Sequence, residues 1–193
     1  MEKKDLKPAG VFKYFEEICQ VPRPSKKEEK MIAYLKAFGA KHNLETKVDE
    51  AGNVLIKKPA TPGKENLQTV VLQSHIDMVC EKNNDVQHDF LTDPIETEID
   101  GEWLKAKGTT LGADNGIGVA TELAILADDS IEHGPLECLF TVDEETGLTG
   151  AFALQEGFMS GDILLNLDSE DEGEIFIGCA GGIDSVAEFT YKE

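Results

Sequence analysis

The sequence predicts an α/β fold, a mixed and mainly parallel sheet flanked by helices. Three observations carry this reading. Apolar runs over 70–75, 135–142 and 162–168 have the length and continuity of buried strands. Stretches with a three-to-four-residue apolar repeat lie between or before them, at 9–20, about 26–42 and about 116–128. Each apolar run also ends in ionisable residues: His75 and Asp77, then Asp143-Glu144-Glu145, then Asp168. Open α/β sheets bind ligands just outside the carboxyl ends of their strands, so one sheet edge can collect all of these groups.

Taken in order, Val11, Phe12, Phe15, Ile18 and Cys19 form the apolar stripe of a first helix, which Pro22 and Pro24 terminate. Ser25 is placed to cap a second helix whose buried face is Met31, Ile32, Leu35 and Phe38. Strands at Glu45–Val48 and Asn53–Ile56 flank the turn Asp49–Gly52, which reads as a hairpin. The first of the three buried strands leads into His75-Ile76-Asp77, a spacing that sends both polar side chains from one strand face. Residues 80–110 are mostly polar, with short strands expected at about 95–99 and 102–106. A long irregular stretch just after His75 fits the wall of a site.

The segment Gly108–Gly118 is glycine-rich and opens a helix. Its spacing does not match the phosphate-cradling motifs, and Asp114 at its tip repels phosphate. Asp114 is therefore read as a metal ligand; the competing reading is an ordinary helix cap. A short helix is expected at about 148–157. Strand-like sequence at Glu174–Ile177, a turn at 178–182 and alternating Ala187, Phe189 and Tyr191 complete the chain. The second and third buried runs contribute Glu144, Glu145 and Asp168 to the same candidate edge.

Composition narrows the function. The formal charge of −20 argues against nucleic acid or anionic membrane as a partner, because both demand basic patches. No segment approaches the ~18 apolar residues of a membrane span, and the first seven residues lack the apolar stretch of a signal peptide. The four cysteines form no Cys-x-x-Cys pair, which disfavours cysteine-ligated zinc and fits a reduced, cytoplasmic protein. Cys138 and Cys179 sit in apolar runs and are expected to pack as small hydrophobes.

Gathering Asp77, Asp114, Glu144, Glu145 and Asp168 in one pocket raises an electrostatic problem, because clustered carboxylates repel and resist burial. Two divalent cations remove it. Such sites hold their ions about 3.5–4 Å apart and activate a water; one carboxylate can bridge the ions and another must stay free to take the proton. Adjacent Glu144 and Glu145 can divide that work. Mixed imidazole and carboxylate donors suit zinc, with manganese or cobalt as alternatives. A serine triad is weaker, since neither Ser74 nor Ser169 lies in a Gly-x-Ser-x-Gly elbow.

The segments His75-Ile76-Asp77, Leu111–Gly116, Asp143–Gly147 and Asp168 resemble, in this order, the dizinc exopeptidase family, which includes carboxypeptidase G, aminoacylase and the cytosolic dipeptidases. Ser74–Asn84, Gly101–Gly118 and Asp168–Gly182 are similar to the dipeptidase branch, and the resemblance runs through essentially the whole chain. It implies a zinc exopeptidase-like catalytic domain that cleaves dipeptides, Xaa-His among them. His75 and Asp168 would bind one metal ion and Glu145 the other, with Asp114 bridging. Asp77 would orient His75, Glu144 would act as general base, and the peptide bond after Asp114 would be cis. The family's second metal has a further histidine ligand far downstream, and its members carry an inserted lid. His42, His88 and His133 do not sit where that ligand belongs. Residues 1–182 are thus expected to be the N-terminal part of a catalytic domain, and 183–193 the connection to an absent lid, through which the full-length form would be a homodimer. The chain alone is expected to bind metal weakly on the Glu145 side and to turn over little substrate. Two rivals remain: a deacylase or carboxypeptidase of the same fold, and a non-catalytic metal-binding or assembly module.

Overall fold

A computed structural model describes residues 5–169, 171, 173–179, 181–182 and 185–191. Helices α1 (Ala9–Cys19) and α2 (Glu29–Lys41) come first. Strands β1 (Glu45–Val48), β2 (Val54–Lys58) and β3 (Val70–His75) follow, then a hairpin of β4 (Thr97–Asp100) and β5 (Trp103–Ala106). Helix α3 (Ala113–Ala127), strand β6 (Leu136–Thr141), helix α4 (Thr149–Ala153) and strand β7 (Ile163–Asn166) complete the described elements.

Five strands form one mixed sheet in the order β1-β2-β6-β3-β7. The pairings β1–β2 and β2–β6 are antiparallel, while β6–β3 and β3–β7 are parallel. The parallel half has a common register: Gln73 lies opposite Leu139 on one side and Asn166 on the other. Strands β3 and β6 end level at His75 and Thr141, while β7, an exposed edge strand rather than the buried one expected, stops opposite Gln73; the polar residues that follow all three emerge at one edge.

Alternation along the strands divides the core between two faces. Val54, Ile56, Leu72, Cys138 and Phe140 point to one face, where Phe15, Ile18, Met31, Leu35, Val119 and Leu123 from α1, α2 and α3 cover them. Their neighbours Leu55, Val71 and Leu139 point to the other face and meet Leu154, Phe158 and Met159 beyond α4. Buried Glu137 ties that covering segment down by accepting hydrogen bonds from the Ser160 amide at 2.7 Å and from Lys57 Nζ at 2.6 Å.

Several expectations change on folding. Helix α2 begins at Glu29, and Ser25 does not cap it; its hydroxyl instead donates to Asp77 Oδ2 at 2.8 Å. Among the described residues, 174–177 form no strand, and Ile175 and Ile177 are fully exposed. Strand propensity there has no neighbouring strand to satisfy it. Cys179 is exposed, unlike Cys138, because the core does not extend to its segment. The turn expected at 178–182 includes Ala180, which lies outside the described residues, as do Ile183 and Asp184 at the expected domain boundary. No described helix is long and apolar enough to cross a membrane.

Candidate metal centre

The carboxyl ends of β3, β6 and β7 and the segments that follow them build the site. His75 is the last residue of β3 and is buried, with its ring fixed from both sides. Nδ1 lies 3.1 Å from Asp77 Oδ1, and Nε2 lies 2.9 Å from Asp114 Oδ1 and 3.6 Å from Asp168 Oδ1. Asp77 falls just past the strand, and the chain turns its carboxylate back onto the imidazole. The same carboxylate accepts hydrogen bonds from the amides of Glu144 at 3.0 Å and Glu145 at 3.2 Å. One buried acid thus orients the histidine of β3 and anchors the acidic loop after β6.

The Asp114 arm arrives with α3. Gly112 adopts a left-handed conformation (φ 68°), Asp114 and Asn115 depart from helical geometry, and the Asp114–Asn115 peptide bond is cis. Asn115 is buried and donates to Asp168 Oδ1 at 2.7 Å, linking the start of α3 to the segment after β7. Gly112 precedes the helix without a side-chain cap, so Asp114 is not serving as one. The Asp114, Asn115 and Asp168 side chains line an open cleft of about 300 Å³ with Ile117, Leu167 and Ser169.

Two donor groups share His75: one with Asp114 and Asp168, the other with Glu144 and Glu145. In each, one ligand atom per residue lies within 4.8 Å of the others. One imidazole nitrogen and several carboxylate oxygens at this spacing fit divalent cations of the zinc type. A third cluster, Glu28, Asp77 and Asp143, is fully buried and spends its oxygens differently. Glu28 Oε1 accepts from the Asp143 amide at 2.9 Å, and Asp143 Oδ1 accepts from Thr146 Oγ1 at 2.6 Å.

The electrostatics of these side chains match a centre that exchanges protons for cations. Burial opposes charge on His75, but its hydrogen bonds to Asp77 and Asp114 prevail and push the imidazole up to about 9. Burial likewise works against the Asp77 anion. Its bonds with His75, the Glu144 amide and Ser25 outweigh that and bring it down to about 2. Burial, with Asp114 alongside, raises Asp168 to about 6, and burial also raises Glu144 and Glu145. Below pH 6.5 the protonated His75 contributes its full stabilisation to the metal-free fold, and this is lost as pH rises through about 9. A cation must displace that proton. Zinc affinity measured by competition with a chelator is therefore expected to rise between pH 7 and about 9 by up to about one decade per pH unit, and to be flat above. A pH-independent affinity over that range would contradict His75 as a ligand.

All six residues singled out in the sequence, His75, Asp77, Asp114, Glu144, Glu145 and Asp168, lie in this one region. Sequence reasoning missed four supports. Ser25 and Glu28 hold Asp77 and the Asp143 amide. Asn53 is fully buried; its side chain donates to the Gly150 carbonyl at 2.8 Å and accepts from the Val142 amide at 3.1 Å, bracketing the acidic loop. Arg23 reaches three backbone carbonyls of the site. The Pro-Arg-Pro-Ser sequence at 22–25, an apparent helix breaker, was the available signal for Arg23 and Ser25.

Fold and donors together define an α/β protein with a candidate divalent-metal centre at the carboxyl edge of its parallel strands. Residues 71–189, more than half of the chain, match the profile of peptidase family M20/M25/M40, and the chain belongs to that family. It is 54% identical over 183 residues to the cytosol non-specific dipeptidase of Escherichia coli K12, covering 95% of this chain and 38% of that protein. The crystal structure of aminoacylhistidine dipeptidase from Vibrio alginolyticus superposes with a TM-score of 0.90 at 56% identity, over 93% of this chain and 36% of that one. Aminopeptidase PepT from Bacillus cereus matches with a TM-score of 0.71 at 26% identity, over 84% of this chain and 43% of that one. The chain thus spans less than half the length of these relatives.

Proposed function

We propose that this chain supplies the metal-binding and general-base half of a dipeptidase that hydrolyses Xaa-His and other dipeptides. The observation that carries the reading is the meeting of His75, Asp114 and Asp168 in one donor group and His75, Glu144 and Glu145 in another. Membership of a peptidase family and the named activities of the E. coli and Vibrio relatives support peptide-bond hydrolysis as the reaction.

In this reading His75 and Asp168 would hold one ion and Glu145 the other, with Asp114 available to both. Zinc suits the donors best, with manganese or cobalt as substitutes. Two divalent ions, when bound, polarise the scissile carbonyl and make a water acidic enough to attack at neutral pH. Asp77 fixes the His75 ring through Nδ1, leaving Nε2 for the cation side. Glu144 takes the proton of the attacking water and returns it to the leaving amine. Its carboxyl is raised by burial, as a base working near neutral pH requires.

The test is hydrolysis of Ala-His and a panel of other dipeptides, acylated amino acids and longer peptides, with and without chelator, by a chimera in which this chain replaces the matching part of the E. coli relative. Chelator-sensitive cleavage restored by zinc, and confined to dipeptides, is the expected result. Cleavage that survives chelation, or a preference for acylated amino acids, would refute the assignment.

A further inference from the structure

We propose that Arg23 is a positioning residue that sets the spacing between the two arms of the metal centre. One arm is the exit of β3 with His75 and Asp77; the other is the loop 112–116 with Asp114. The inference rests on the metal-centre reading given above for its functional consequence, but not for its geometry.

Arg23 lies between α1 and α2, far in sequence from either arm, and is 2% exposed. Its Nη1 donates to the carbonyls of Ile76 at 3.1 Å and Asp77 at 2.9 Å, and its Nη2 donates to the carbonyl of Gly112. One planar guanidinium therefore spans the residues that immediately follow His75 and the residue two places before Asp114. The backbone reinforces the arrangement, because the Arg23 carbonyl accepts from the Met78 amide at 3.2 Å and Pro24 bridges to Met78. Lysine cannot replace this function, since a single ammonium on a flexible stem lacks the rigid fork that addresses both arms at once.

The glycines of the loop acquire a reason in this arrangement. A Cβ at Gly112 would sit 2.6 Å from Arg23 Nη2, and a Cβ at Gly116 would sit 2.7 Å from the same atom. Neither position has room for a side chain, because the guanidinium fills the space. The glycine-rich segment that looks like a phosphate cradle in the sequence is thus the receptacle of a buried arginine.

The experiment compares the wild-type chain with Arg23→Lys and with Gly116→Ala, whose new methyl group displaces the guanidinium from the other side. Amide hydrogen exchange is read at 76–78 and 112–116, with β6 as internal reference, and zinc affinity is read by chelator competition. Exchange in both arms is expected to accelerate at least about tenfold with β6 unchanged, and zinc affinity to fall roughly 10–100-fold, as for loss of other supports of metal ligands. Unchanged exchange in the arms, or an equal acceleration in β6, would overturn the proposal by showing no role or a merely general one. If Arg23→Lys does not fold, the Gly116→Ala pattern decides by the same criteria. If the wild-type chain takes up no zinc while the variants still loosen only the two arms, the clamp stands and the metal-centre reading fails.

Discussion

Replacing Glu144 with Gln, in a chimera where this chain replaces the matching part of the E. coli relative, is expected to lower kcat for dipeptide hydrolysis about 10²–10⁴-fold, the usual contribution of a positioned general base, while zinc affinity is retained. The side chain lies three residues past the end of β6, in a loop whose amides at 144 and 145 are held by Asp77. Gln keeps the size and the polar contacts of Glu but cannot accept the proton of an attacking water. The amide-held backbone keeps Glu145 in place, so the metal-binding side of the loop survives the change. A metal-binding or assembly module without catalysis would be indifferent to this substitution. Loss of zinc together with turnover would make Glu144 a ligand and move the general base elsewhere.

The second large effect is expected at Asp114. Its Oδ1 is 2.9 Å from His75 Nε2, and its carboxylate shares a donor group with Asp168. Asp114→Asn preserves the shape of the loop and an oxygen that can accept from the imidazole, yet removes the negative charge that the proposed ions would face. Zinc affinity is expected to fall by more than about 100-fold, beyond the roughly 10–100-fold typical of residues that only support a ligand. In the metal-free protein the same change takes one anion out of a cluster in which Asp114 helps to raise Asp168 and Glu145. The Asp168 carboxyl should then titrate below its present value of about 6. Calorimetric titration with zinc and NMR titration of the carboxyl carbons check both statements. An undiminished affinity would place the ion away from Asp114.

Most of the sheet and the cluster of candidate donors at its edge were legible in the sequence, for a physical reason. Buried parallel strands are continuous apolar runs, so β3 and β6 announced themselves, and the acids that end them could face only the sheet edge. The supports were not legible because each acts across the chain through backbone groups. Arg23 bonds carbonyls 53, 54 and 89 positions away, and Glu28 bonds an amide 115 positions away. A side chain that recognises backbone leaves no residue-type signature at its partner. Ser25 was misread because a serine before a periodic stretch serves equally well as a cap or as a donor to a distant carboxylate. Helix periodicity identified Leu123 and Leu126 of α3 but gave no warning that Glu122 is also fully buried; burial holds its carboxyl well above the usual range, against the opposing pull of Ser74 and Cys138. Strand propensity failed at 174–177, where the apolar run Ile175–Ile177 has no partner strand among the described residues.

The most direct measurement is anomalous diffraction at the zinc edge from crystals of the chain grown or soaked with zinc. A peak about 2.0–2.2 Å from His75 Nε2 and from one oxygen each of Asp114 and Asp168 is the predicted result. Zinc bound instead at Glu28, Asp77 and Asp143, or only at scattered surface carboxylates with His75 still bonded to Asp114, would contradict the account.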